Sequence, residues 1–129
     1  PDLAREGGKY PNLWHYQHMM DPRAISQGSI MPAYAFMATA KLDVASVPAK
    51  LRAMKTIGVP YTNDDITRSI DDAKAQAQEI ATDLGANGAK ADSESELVAL
   101  IAYLQRIGRN PTSTSPKISL ATDAPAGVR

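Results

Sequence analysis

The stretch TNDDITRSIDDAKAQAQEIATDL, residues 62–84, decides the fold class of this chain. Its apolar residues recur in steps of three and four, which places them on one face of an α-helix. These residues are Ile66, Ile70, Ala73, Ala77, Ile80 and Leu84. Thr62 precedes Asp65 by three positions, the spacing of a capping box, and Gly85 marks the end of the pattern. We therefore predict one long, acidic helix with a single buried face.

Shorter helical patterns lie on both sides of this helix. They predict helices over residues 13–20, 34–40, 47–57 and 97–107, with a loop at 24–33. Asn12 and Ser93 are the predicted N-caps of the first and last of these. No run of alternating β-branched residues is present, so the fold class is all-α with four or five helices in one domain, residues 1–109. Residues 110–129 are rich in Pro, Ser, Thr, Ala and Gly, and we expect a disordered tail there.

The composition excludes several classes of function. Fourteen basic and fourteen acidic residues balance, so nothing indicates a nucleic-acid partner. The chain has no cysteine, which excludes disulfides and thiolate metal sites within it. No apolar run approaches the roughly 18 residues that cross a bilayer. No phosphate-binding glycine loop, Ser/His/Asp set or paired carboxylates stand out, so we predict no catalytic residues in this chain.

Two histidines, His15 and His18, lie three residues apart on one face of the first predicted helix. Such a pair can bind zinc or copper, or donate hydrogen bonds to an anionic group. Two ligands are too few for a closed metal site, and no further ligand lies nearby at a suitable spacing. An ordinary packing or surface role is therefore favoured, followed by hydrogen bonding in a pocket or interface, with a dedicated metal site last.

Met31 differs from the other four methionines of the chain. Those four lie in helical patterns, where methionine usually fills a hydrophobic core. Met31 lies in a loop containing Gly and Ser, and Pro32 stiffens the backbone after it. A thioether on a short, rigid loop suits an axial ligand of haem iron. A Met-Pro pair alone is nevertheless a weak signal, because packing explains most such methionines.

These features occur together, in the same order, in a known family. The motifs are PDLAREGGKY (1–10), WHYQH (14–18), DPR (21–23), SIMPAY (29–34), GVPYT (58–62) and AYLQ (102–105). They run through residues 1–109 apart from one longer stretch within 66–95, and the ordered set is far more specific than any single motif. The chain resembles the mono-haem subunit, FixO or CcoO, of the bacterial cbb(3)-type cytochrome c oxidase.

That resemblance implies a cytochrome c-like domain around one haem c, which a C-x-x-C-H motif attaches and ligates through its histidine. Met31 would be the second axial ligand, and the Pro1 carbonyl would accept a hydrogen bond from the proximal histidine. Trp14 and Tyr34 would pack at the haem edge. The remaining positions that the resemblance implies near the haem are Leu3, Arg5, Arg23, Leu97, Ile101 and Leu104, with the two arginines as propionate partners.

The same resemblance implies electron transfer at the periplasmic face of the bacterial inner membrane. Electrons would pass from a diheme cytochrome c subunit, through this haem, to the catalytic subunit that reduces oxygen. An N-terminal membrane anchor would hold the domain in place.

Besides the longer stretch within 66–95, a second feature departs from the family pattern. Neither C-x-x-C-H nor the anchor is present, and the chain opens on Pro1 without an initiator methionine. We therefore expect an incomplete cytochrome c-like domain that binds no haem covalently by itself. With its apolar faces uncovered, the isolated fragment is expected to self-associate. The alternatives are a haem-free helical interaction module and a fragment that binds metal through His15 and His18.

Overall fold

The computed structural model of the chain describes residues 3–109. Within this range the regular elements are helices, without a β-strand, so the all-α prediction is confirmed. The α-helices are α1 (Asn12–Met20), α2 (Pro22–Ile25), α3 (Val47–Thr56), α4 (Asn63–Ala86) and α5 (Glu96–Arg106), and short 3-10 turns span Leu3–Arg5, Ala35–Ala38 and Val44–Ser46. Pro1 and the predicted tail at 110–129 lie outside the described residues.

The long helix α4 begins with the predicted capping box. The Thr62 hydroxyl accepts from the Asp65 N–H at 3.1 Å, and the Asp65 carboxylate accepts from the Thr62 N–H at 2.7 Å. These two bonds satisfy N–H groups that the first helical turn leaves without partners. The hydrogen bond from the Thr62 backbone is the main reason why the pKa of Asp65 lies below its usual value.

A small hydrophobic core forms where α1, α4 and α5 meet. Its fully buried side chains are Leu84, Leu97, Val98 and Ile101, and Ile80 is 6% exposed. Half-buried methionines pack around this core, namely Met19, Met20 and Met37. The prediction that the methionines in helical patterns fill the core holds for these three and is wrong for the fourth, Met54, which is 43% exposed.

The predicted apolar stripe of α3 is partly wrong. Met54 is 43% exposed and Ile57 is 76% exposed, although both continue the stripe from Val47 and Leu51. α3 contacts α4 and is absent from the core cluster where α1, α4 and α5 meet. α3 packs on α4 and on the adjacent turn at Val44–Ser46, and this arrangement leaves the Met54 and Ile57 side chains uncovered.

The N-caps predicted for the first and last helices are wrong, unlike that of α4. Asn12 is the first residue of α1, and its amide instead donates to Asp83 at 2.9 Å and accepts from Gln105 at 3.0 Å. Ser95, not Ser93, caps α5, because its hydroxyl accepts from the Val98 N–H. The Asn12 side chain was expected to cap α1, but it forms hydrogen bonds with residues that are distant in the sequence.

The segment before α1 lies against the C-terminal end of α5. The Gly7 N–H donates to the Ile107 carbonyl at 2.9 Å, and the Gly8 N–H donates to the Gln105 side chain at 3.0 Å. The amide group of Gln105 in turn donates to the Tyr10 carbonyl at 2.9 Å. Since Gln105 uses both ends of its amide here, one side chain joins the two ends of the described chain.

Candidate functional site

Residues 26–34 form the loop that carries Met31, and main-chain hydrogen bonds hold it at both ends. The Ser26 N–H donates to the Pro22 carbonyl at 2.9 Å, which joins the start of the loop to α2. The Tyr34 N–H donates to the Met19 carbonyl at 2.8 Å, which joins its end to α1. The sequence prediction of a loop over 24–33 is therefore right except at its start, where α2 continues to Ile25.

Ser29 organises the middle of this loop. Its hydroxyl accepts from the Met31 N–H at 3.2 Å, and its carbonyl accepts from the Arg23 guanidinium Nε at 3.3 Å. Arg23 itself is placed by Asp21, which caps α2 and accepts from the Arg23 N–H at 3.1 Å. Met31 is half-buried. The thioether is therefore carried by a loop with its own hydrogen-bond framework.

Exposed apolar side chains flank Met31 along the chain. Ile30 is 98% exposed and Phe36 is 63% exposed, and the Phe36 ring lies 6.1 Å from that of half-buried Tyr34. Exposed apolar side chains beside a thioether are compatible with a surface that another group or protein covers. Together with the thioether of Met31, this chemistry fits the methionine side of a haem site.

Three aromatic rings form a stack that runs from the N-terminal segment along α1. Trp14 stacks on Tyr10 at 4.0 Å and on His18 at 4.7 Å, with interplanar angles of 14° and 10°. The His15 ring meets Trp14 edge-on at 5.3 Å. The spacing of His15 and His18 therefore places one ring against the edge of Trp14 and the other on its face.

Both histidines have a buried nitrogen without a hydrogen-bond partner among the described residues. These atoms are His15 Nε2 and His18 Nδ1, and the His15 side chain as a whole is only 1% exposed. Leaving such a group unpaired costs about 1–3 kcal/mol. Hydrogen bonding to a group that this structure does not contain thus remains a fitting role for the pair.

The metal-binding alternative gains nothing from this geometry. Across residues 3–109, no group of three or more histidine, cysteine, aspartate or glutamate side chains is placed to hold a metal ion. A closed zinc site needs four ligands, and a catalytic one needs three from the protein.

Substituting His15 with leucine should weaken the pH dependence of stability. Burial is the main cause that lowers the pKa of His15 from 6.5, Glu6 opposes it, and His18 adds to it. The His15 imidazole therefore binds a proton more readily in the unfolded chain than in the folded one. Its contribution to the free energy of unfolding is fully present above the unfolded pKa of the imidazole, and it is lost as the pH falls through the folded pKa. Melting temperatures measured between about pH 7.5 and 5 should fall less in His15→Leu than in the parent chain. Parallel pH profiles would contradict this.

The other predicted haem residues are scattered over the described surface and core. Leu3, Arg5 and Arg23 are exposed, and Leu104 is half-buried on α5. Leu97 and Ile101 are fully buried in the core. Within residues 3–109 the structure thus brings together Met31, Tyr34 and Arg23 through one loop, and Trp14, His15 and His18 through α1.

An apolar groove of about 510 Å³ lies elsewhere, between α4 and α5. Ala73 and Ala77 of α4 and Ala102 and Tyr103 of α5 are among the residues that line it. None of the predicted haem residues contributes to it, so it is separate from the Met31 loop.

Sequence reasoning missed two residues that shape this site. Tyr10 extends the aromatic stack, and Ser29 accepts the hydrogen bond from the Met31 N–H. Ser29 had a local signal, because serine two residues before a loop position commonly bonds to that backbone. Tyr10 had none beyond its place in a family motif, since its partner Trp14 belongs to the following helix.

Comparison with known proteins supplies the family. The family model described as the mono-haem subunit of cytochrome c oxidase, FixO, matches residues 1–110. A search of individual curated proteins gives no significant match. In the described range no helix is both long enough and apolar enough to cross a membrane. Since the family match covers most of the 129 residues, this chain belongs to the FixO family of cytochrome c oxidase mono-haem subunits.

Proposed function

We propose that this chain supplies the methionine side of a haem c site that relays electrons within a cbb(3)-type oxidase. The electrons would come from a diheme cytochrome c subunit and pass to the oxygen-reducing catalytic subunit, at the periplasmic face of the inner membrane. The observation that carries the proposal is the Met31 loop, held by Ser29 and joined to α1 through Tyr34, in a chain of the mono-haem family.

The part played by this chain's own residues is to set position and potential. Haem iron supplies the one-electron chemistry when it is bound. Met31 would bind the iron through its sulfur, and methionine opposite histidine raises the reduction potential. The exposed side chains of Ile30 and Phe36 would lie near the haem and exclude water from it. Solvent exposure also affects the reduction potential of a haem.

Other parts of the site would come from residues outside this sequence. The chain has no cysteine for thioether bonds, and its two histidines both lie on α1, with His15 buried. We propose that the proximal histidine, the covalent attachment and the membrane anchor are supplied by such residues, and that the 129-residue chain alone holds no covalent haem. The uncovered apolar side chains would then promote its self-association.

Transient absorption of the assembled oxidase during turnover tests the relay. A single electron pulse from the donor should reduce the diheme subunit first, then the haem of this subunit, and finally the catalytic subunit. The second centre to be reduced should be the haem of this subunit. A covalent haem band at the mass of this subunit on a denaturing gel would show that the subunit carries that haem. If that haem kept one redox state throughout turnover, the relay would be refuted.

A further inference from the structure

We propose that Arg23 is a positioning residue for the iron ligand, which holds the Met31 loop closed through the carbonyl of Ser29. This inference rests on the proposed role of Met31 as an axial ligand. It assigns to Arg23 a role within the loop, different from the pairing with a haem propionate that the family resemblance implied.

The backbone of Arg23 is well placed for this role. Asp21 caps α2 by accepting from the Arg23 N–H, and Pro22 at the first helical position is buried. The side chain then spans from α2 to the loop, where its Nε donates to the Ser29 carbonyl at 3.3 Å. An arginine donor is charged and planar, so this bond is more directional than one from a lysine.

Ser29 passes this restraint to Met31. Its N–H donates to the Ser26 carbonyl at 3.1 Å, its carbonyl accepts from Arg23, and its hydroxyl accepts from the Met31 N–H at 3.2 Å. All three polar groups of Ser29 therefore have partners, two within the loop and one on α2. Gly28 has a φ of 78°, and the chain turns there just before Ser29. This turn lets the Ser29 carbonyl face Arg23 on α2.

The consequence concerns how easily the loop opens. Met31 would hold the haem iron only while its loop stays closed, and an opened loop would leave the iron accessible to an external ligand. A bond present only in the closed loop lowers the population of the open one. The Arg23–Ser29 bond is exposed, so its contribution is modest, and its loss should favour external ligands by roughly three- to tenfold.

Imidazole binding to the ferric, haem-loaded intact subunit tests this. Arg23→Met should raise the apparent affinity for imidazole roughly three- to tenfold. Ser29→Ala should act in the same direction, and the double variant should show less than the product of the two effects, since both substitutions release one loop. The matched control is Arg52→Met, an exposed arginine on α3, which should leave the affinity unchanged.

Three outcomes separate this proposal from its alternatives. If Arg23→Met leaves imidazole affinity at the parental value and changes the pH dependence of the reduction potential, Arg23 is a propionate partner and the proposal fails. It also fails if Arg52→Met has the same effect as Arg23→Met. If the red absorption band of methionine-ligated ferric haem is missing from the parent subunit, the ligand role of Met31 itself is wrong.

Discussion

Replacing Met31 with alanine is expected to lower the reduction potential of the haem in the intact subunit by on the order of 0.1–0.3 V. That is a fraction of the roughly 0.8 V range that axial ligation sets in haem proteins. The thioether is a soft ligand that favours the reduced iron, and water or another oxygen donor in its place does so less. The fall should be accompanied by loss of the methionine band in the ferric spectrum. Redox titration followed by visible absorption measures both.

Met54→Ala is the matched control for this experiment. Met54 is 43% exposed on α3, and no described contact places it in the Met31 loop. It should leave the potential and the spectrum unchanged. If Met31→Ala behaved in the same way as this control, another residue would ligate the iron, and the Met31 loop would have only a structural role.

Replacing Gly108 with alanine is expected to destabilise the fold by about 2–4 kcal/mol. Gly108 has a φ of 74°, in the left-handed region, where an alanine costs about 1–2 kcal/mol. A methyl group there would also collide with the backbone carbonyl of Ala4. The N-terminal segment would have to move away, and the hydrogen bond from Gly7 to Ile107 would be weakened or lost. Thermal melting followed by far-ultraviolet circular dichroism measures the change.

Two variants separate the backbone cost from the contact cost. Gly88→Ala carries a similar φ of 87° with no atom within 4 Å, so it should cost only the backbone term. Gly7→Ala lacks that term, but its methyl group would meet the Ile107 and Gln105 carbonyls, so it should cost only the contact term. If Gly108→Ala were no more destabilising than Gly88→Ala, the close packing of the N-terminal segment on α5 would be wrong.

This packing also concerns the proposed haem site. The family resemblance implied that the Pro1 carbonyl accepts from the proximal histidine, which stays a prediction. Within the described residues, Gly7 and Gly8 of the N-terminal segment bond to Ile107 and Gln105 at the end of α5. A shift of this segment in Gly108→Ala would therefore be expected to disturb the proximal side of the haem while leaving the Met31 loop in place.

Local sequence signals were sufficient for α1, α3, α4 and α5 and for the Met31 loop. They missed the single turn of α2 and predicted a helix over 34–40, where the structure has a 3-10 turn at Ala35–Ala38. The apolar repeat and capping box of α4 involve only residues within a few turns of one another, so the sequence determined them without help from the rest of the fold. The loop around Met31 was also predictable from local sequence, because Gly and Pro residues beside a position favour a turn or loop there. The link from Met31 to haem, however, came from the ordered family motifs and not from any local pattern.

Only the tertiary structure showed which hydrogen-bond partners the polar side chains have and which apolar side chains are buried. Asn12 was predicted to cap a helix, but its side-chain amide forms hydrogen bonds with Asp83 and Gln105, which lie more than 70 residues away in the sequence. Met54 and Ile57 continued an apolar stripe, yet α3 lies outside the core cluster and leaves both exposed. The guanidinium Nε of Arg23 bonds to the carbonyl of Ser29, a partner that no local pattern indicated. A sequence determines periodicity, and with it the helices, because helical bonds are local. The partner of a polar side chain depends on which distant residues folding brings within about 3 Å of it.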